Sequence, residues 1–287
     1  MARMDRLFQS AWQPLTPRGV ARFADASAGR LWLVQFVFAL LAAGVMTWFV
    51  RTAWFPTVRA AIERLPAAGE IRAGQLYWES DTPQRLAEGH FLSIAVDLTH
   101  SGELRGPAHV QVEFGRGSLD LCTLFGCVSL PYPVDVVFGL NRTEAGPWWG
   151  AWWPAILAAV FSGTAVGLMI AWAALATVYC VPAWLIGFAA NRSLTLRGAW
   201  RLCGAAQMPG ALSFSLALAV YALGFLDPVR LGVAFAAHWV VGWVYVGASP
   251  LLRNRVPEAT TGNPFAGGDA SGGPARAAGN PFRSGRS

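Results

Sequence analysis

The sequence predicts an α-helical integral membrane protein with four transmembrane helices and a small β-rich extracytoplasmic domain between helices 1 and 2. Three observations carry that reading. Of 287 residues, 54% are hydrophobic and only 13% charged, about half the charged share of a soluble domain. The apolar residues gather into runs long enough to cross a bilayer. Charge is segregated: eleven of sixteen acids lie from Glu63 to Glu144, while the chain outside residues 51–144 carries fourteen arginines against five acids. All 22 basic residues are arginine. That excess flanks apolar segments, so its natural partner is the lipid bilayer and not nucleic acid.

Residues 1–30 read as a cytoplasmic amphipathic N-terminal segment, because Arg6-Leu7-Phe8, Ala11-Trp12 and Val20-Ala21-Arg22-Phe23 mix apolar and basic residues. Residues 31–50, bracketed by Arg30 and Arg51, form transmembrane helix 1. At 1.5 Å per residue they span about 30 Å. A cleaved signal peptide would have a shorter apolar core and no long polar leader.

Residues 51–147 form the extracytoplasmic domain. A helix is expected over Thr57–Leu65, then strands over Ile71–Trp78, Phe91–Leu98 and His109–Phe114, where apolar and polar residues alternate. Cys122 and Cys127 frame a turn with a four-residue loop and are expected to form a disulfide. Metal binding competes, since His90, His100 and His109 share the domain, but their spacing matches no ligand motif. No metal, cofactor or catalytic residue is therefore assigned. Asp97, Glu113 and Asp120 are expected on solvated strand faces. Asn141-Arg142-Thr143 is a glycosylation sequon, relevant only in a eukaryotic secretory pathway.

Residues 148–190 form a long transmembrane helix 2. From Trp152 to Ala190 no residue is charged; one helix kinked or ended near Pro182, or two tight spans, would each accommodate the run. Keeping Arg192, Arg197 and Arg201 cytoplasmic favours the single helix. Trp148, Trp149, Trp152 and Trp153 fall on one helical stripe where the outer domain meets the span. Indoles suit the headgroup level, so these four are interface anchors; a carbohydrate-stacking platform is the alternative. Gly163 and Gly167 make a GxxxG pattern suited to close helix packing. Residues 191–208 read as a cytoplasmic interfacial elbow, 209–226 as transmembrane helix 3 and 231–252 as transmembrane helix 4.

Residues 253–287 read as a disordered cytoplasmic tail, repeating Gly-Asn-Pro-Phe at 262–265 and 279–282. Strongly polar or ionisable residues are nearly absent from the spans; the exception is His238, a candidate intramembrane polar site with Gln35 and Tyr221 as partners by type. A histidine hydrogen-bonded within the bundle is the competing reading.

Over residues 6–252 the chain resembles an uncharacterised bacterial family of multispanning membrane proteins, some described as maltodextrin-utilisation-like. The resemblance rests on R-L-F-Q-S-A-W-Q-P-L, L-P-A-A-G-E-I-R-A-G-Q-L, S-I-A-V-D-L-T and L-R-G-A-W-R-L-C-G-A-A-Q-M-P, in that order. It implies fold and location, with no activity or catalytic residues. The functional expectation is a non-enzymatic accessory, sensing or scaffold subunit of the cytoplasmic (inner) membrane, multi-pass with both termini cytoplasmic. Its outer domain would contact a ligand or an envelope or membrane protein, and its tail a cytoplasmic partner. A transporter or permease component, and a membrane-bound enzyme with an extracytoplasmic site, are the alternatives.

Overall fold

Each long helix begins at a side chain able to accept a hydrogen bond from its first turn. In the computed structural model, which describes residues 13–256, Ser27 Oγ accepts from Arg30 N at the start of α2 (Ala28–Phe49). Asn141 Oδ1 accepts from Glu144 N at the start of α4 (Arg142–Ala189). Thr195 and Asp227 do the same for α5 (Leu196–Ala222) and α6 (Pro228–Leu251). Thr16 caps the short α1 (Pro17–Arg22). These caps satisfy donors that the helices themselves leave free. Asn191 (φ 55) after α4 and Gly224 (φ 81) after α5 take the left-handed conformation that ends a helix.

Four helices are long and apolar enough to cross a membrane: Ala28–Glu63, Arg142–Ala189, Leu196–Ala222 and Pro228–Leu251. The first does not stop at Arg51. A π-helical segment, Val50–Trp54, joins α2 to α3 (Phe55–Glu63), so the helix runs on into the outer domain. α4 has 48 residues, with Pro147, Pro154 and Pro182 inside it. At about 72 Å it is more than twice the thickness of a bilayer core.

The expected elbow at 191–208 is instead mostly buried helix. Ala199, Leu202, Cys203, Ala205, Ala206 and Met208 have no exposed surface, and all but Ala199 belong to one core cluster with Leu31, Ala176 and Ala183. Three arginines among small residues suggested an interface, but Arg201 turns away to donate to Ala26 O. The helix continues through Pro209, which the sequence reading had taken as the entry to a span.

The N-terminal segment is likewise not a surface element within its described part. Val20 and Phe23 are buried in the same core, and Tyr245 Oη donates to Leu15 O. Residues 1–12 lie outside the described residues. The first residues of the expected tail are ordered: Arg253–Val256 are tied back to the α4–α5 turn. Ser193 N donates to Asn254 O, Val256 N donates to Asn191 O, and Arg253 forks onto Asp25. Both Gly-Asn-Pro-Phe repeats lie outside the described residues.

The β-rich domain between the first two long helices holds two sheets. Glu70–Arg72 (β1) and Gln75–Tyr77 (β2) form a hairpin, with Phe138–Gly139 (β8) on the other side of β1. The single strand expected over Ile71–Trp78 is broken because Ala73 (φ 48) and Gly74 (φ 75) make a tight turn. The larger sheet has the order Gln84–Glu88 (β3), Leu92–Val96 (β4), Val110–Phe114 (β5), Ser118–Thr123 (β6) and Gly126–Pro131 (β7). β4 and β5 are parallel and the other neighbours antiparallel. One face carries Leu92, Ile94, Val96, Val110, Val112 and Phe114, which pack with Trp54, Val58 and Ala61 of the first long helix. The parallel pair needs a crossover, residues 97–109, and that crossover covers the other, polar face.

Candidate functional site

Strand register builds the polar face of the larger sheet row by row. Ala95, Glu113, Asp120 and Ser129 form one row; Ser93, Gln111, Cys122 and Cys127 form the next. Glu113 and Asp120 are therefore cross-strand neighbours of like charge, an unfavourable pairing unless something lies between them. Neither is solvated, as alternation alone had suggested: Glu113 is 0% and Asp120 4% exposed. The crossover lies over them.

Asp97, also fully buried, organises that crossover. Its Oδ1 accepts from Thr99 N (3.1 Å) and Thr99 Oγ1 (3.0 Å); its Oδ2 accepts from Ser101 N and Ser101 Oγ, both at 2.7 Å. Burial alone would raise the Asp97 pKa, but these hydrogen bonds outweigh it and hold the carboxyl below its ordinary value. The turn forces His100 into the left-handed region (φ 53). Its Nδ1 then sits 2.5 Å from Glu113 Oε1 and 3.8 Å from Asp120 Oδ2. The side chain is 42% exposed, so the imidazole is the solvent-facing side of the cluster.

Surrounding groups hold the carboxylates in place. Gln111 Nε2 donates to Glu113 Oε2 at 3.1 Å. Ser118 and Ser129 hydroxyls donate to Asp120. Tyr132, whose hydroxyl donates to Gly115 O, has its pKa pushed up by burial and then by the Asp120 charge. An imidazole nitrogen and two carboxylate oxygens within 4.8 Å of one another can share a proton or hold a cation.

Cys122 and Cys127 face each other directly, with sulfurs 2.06 Å apart at disulfide distance. The ladder continues one pair further, to Thr123 and Gly126, so the loop is two residues, Leu124-Phe125, and not four. Around that tip the domain meets the bundle: Leu124 and His109 line a groove with Asp227, Pro228 and Val229. Beside it, Phe91 packs with Phe49, His109 and Tyr221, and His109 Nδ1 is hydrogen-bonded to Tyr221 Oη at 2.7 Å. Burial first, then the adjacent His90, lowers the His109 pKa, with Asp227 opposing.

The proposed intramembrane trio is dispersed. Tyr221 belongs to this junction. Gln35 is buried against α5, donating to Gly204 O. His238 bonds through Nδ1 to Phe235 O and lines a cavity of about 310 Å³ with Gln207, Ser215 and Thr164; the remaining lining, including Met46, Trp172 and Phe214, is apolar. The tryptophans lie near the start of α4: Trp149 packs on Phe55 of α3, and Trp148 stacks on Trp152. A Cβ added at Gly163 or Gly167 would meet nothing within 4 Å, so neither glycine marks a close helix approach in the described bundle.

His100, Glu113 and Asp120 were not read as a group from sequence. The available signal was D-L-T-H-S after a strand, which is turn chemistry, but its partner Glu113 is brought in only by the parallel pairing. No family model, curated protein or solved structure matches the chain.

Proposed function

We propose that this is a non-enzymatic, multi-pass protein of the cytoplasmic membrane, with both termini cytoplasmic, acting as an accessory or scaffold subunit. Its outer domain recruits an extended segment of an envelope or membrane protein. One observation carries the reading: among the described residues β7 is an edge of the larger sheet, pairing only with β6, and its apolar residues are uncovered. Val128 (62% exposed) and Leu130 continue the apolar face of Leu121 and Leu119 past the helix that covers β3 and β4. Val134, Val136, Val137 and Phe138 extend the exposed strip. A free strand edge offers main-chain hydrogen bonds, and alternate apolar side chains offer selectivity. An isolated protein gains nothing from leaving such an edge unprotected.

The other features fit that role. Phe125, 83% exposed at the hairpin tip next to Leu124, which lines the groove with the α5–α6 turn, would touch the headgroup region. The tryptophan stripe would anchor the same level. The four-span plan is also what the family resemblance implies.

The test is photocrosslinking in the native membrane with p-benzoylphenylalanine at Val128. A discrete protein adduct is expected, absent when Leu130→Lys is added and unaffected by a crosslinker placed on α4 at Gly163. Crosslinks to lipid alone, or a protein adduct indifferent to Leu130→Lys, would overturn the reading.

A further inference from the structure

We infer that His100, Glu113 and Asp120 form a binding site for a single divalent transition-metal ion of the zinc type, roofed by the 97–109 crossover. The docking role of β7 does not depend on it.

Charge is the first argument. Two buried carboxylates face each other across β5 and β6, and among the described residues no arginine forms an ion pair with either. Even a protonated His100 leaves the cluster one negative charge in excess. A buried uncompensated charge is expensive, and a divalent cation neutralises both carboxylates. Arg105, the basic residue nearest on the crossover, is directed to Cys127 Sγ instead.

Geometry is the second. The three ligand atoms lie within 4.8 Å of one another. A tetrahedral ion with bonds of about 2.0–2.1 Å needs them about 3.3 Å apart. The His100 to Glu113 separation of 2.5 Å must open and the His100 to Asp120 separation of 3.8 Å must close, both of them modest side-chain movements. The ion takes the position of the proton between His100 Nδ1 and Glu113. The exposed side of the imidazole leaves a fourth position to water.

The supporting shell is the third. Metal-ligating groups are generally held by outer hydrogen bonds, and here both carboxylates have them, Gln111 on Glu113 and Ser118 and Ser129 on Asp120, while the Asp97 turn fixes the backbone of His100, whose N donates to Asp97 O. Ser93, on the same face beside Gln111, is fully buried with a hydroxyl that finds no partner. It is an unused polar group one row from the cluster, on the face that the crossover covers. One nitrogen and two oxygens suit a borderline ion such as zinc better than calcium, which prefers oxygen alone. The Cys122 and Cys127 sulfurs are near His100 too, but as a disulfide they offer no thiolate.

The experiment uses the full chain in mild detergent, without a polyhistidine tag, stripped with chelator and titrated with Zn²⁺ against a fluorescent zinc indicator. One saturable site per chain is expected. His100→Ala and Asp120→Asn should each weaken it at least tenfold, and Gln111→Ala should weaken it less. His90→Ala and His238→Ala should leave it unchanged. Co²⁺ in place of Zn²⁺ should give visible absorption bands of a tetrahedral site, lost in His100→Ala while the thermal unfolding of that variant stays cooperative. The absence of one-to-one binding, or binding indifferent to both His100→Ala and Asp120→Asn, would overturn the proposal, as would loss in His90→Ala or His238→Ala.

Discussion

Gly210→Ala should weaken the helix bundle, whereas Gly163→Ala and Gly167→Ala should not. A Cβ built on Gly210 of α5 falls 2.6 Å from the His238 carbonyl oxygen and 3.7 Å from Gly242 N, both backbone atoms of α6. Neither can rotate away as a side chain would. Restoring an ordinary contact of 3.4 Å requires the two helices to part by about 0.8 Å. Such overpacking costs about 1–3 kcal/mol, partly offset by about 0.8–1.0 kcal/mol from the better helix propensity of alanine. At Gly163 and Gly167 only the offset remains, since a Cβ there meets nothing within 4 Å. The two classes should thus differ by about 1–3 kcal/mol. Reversible unfolding in mixed micelles, followed by tryptophan fluorescence, measures the difference. If Gly210→Ala proved as stable as Gly163→Ala, the α5–α6 contact would not be the close approach described, and the GxxxG pattern would regain its claim.

The domain–bundle junction should weaken in acid. Because the folded state depresses the His109 pKa, the stability it contributes is complete above its ordinary value of 6.5 and is lost as pH falls through the lower folded value. Protection from hydrogen exchange around Phe91 and Val110, taken relative to the intrinsic amide rate at each pH, should therefore fall between pH 7.5 and 5; the same fall in His109→Phe would refute this. Tyr221→Phe should cost about 0.5–1.5 kcal/mol at neutral pH by removing the His109 hydrogen bond. Asp97→Ala strips four hydrogen bonds from the crossover, each charge-assisted. It should destabilise the outer domain by about 3 kcal/mol and speed exchange at residues 97–101; a melting temperature within a degree of the parent would remove Asp97 from its structural role.

Much of the fold was legible locally. Arginine-bounded apolar runs marked the helices long enough to cross a bilayer, and Ser27, Asn141, Thr195 and Asp227 are cap residues readable in place. Strict alternation over His109–Phe114 marked β5. What escaped was whatever depended on distant partners. Leu196–Met208 looks like an interface because its arginines dominate a one-dimensional view, yet the alanines between them are the bundle core. Pro209 reads as a boundary, but the helix absorbs one missing donor. Glu113 and Asp120 read as solvated because alternation gives a face and not what covers it. Only the parallel pairing of β4 with β5, which demands a crossover, turns that face inward. The same step brings together His100 and Glu113, thirteen residues apart.

The polar groups of the spans bear on which part of the molecule carries the chemistry. A bundle moving ions needs ionisable or polar side chains in series, since each charged intermediate must be stabilised where water is scarce. Here the candidates are each occupied separately. Gln35 donates to the Gly204 carbonyl, Tyr221 is bound to His109 at the domain end, and the His238 Nδ1–H is used on the carbonyl of Phe235 one turn earlier. The cavity that His238 lines is bounded mostly by aliphatic and aromatic groups, with Gln207 as its other strongly polar member. An ion there would lose its hydration without a matching set of ligands, whereas a hydrocarbon chain would lose nothing. In the outer domain the balance is reversed. Two buried carboxylates, an imidazole and an organised turn converge under one crossover, and the edge strand β7 runs along the same sheet two strands from Glu113. That contrast favours a bundle that holds and orients, and a domain that binds.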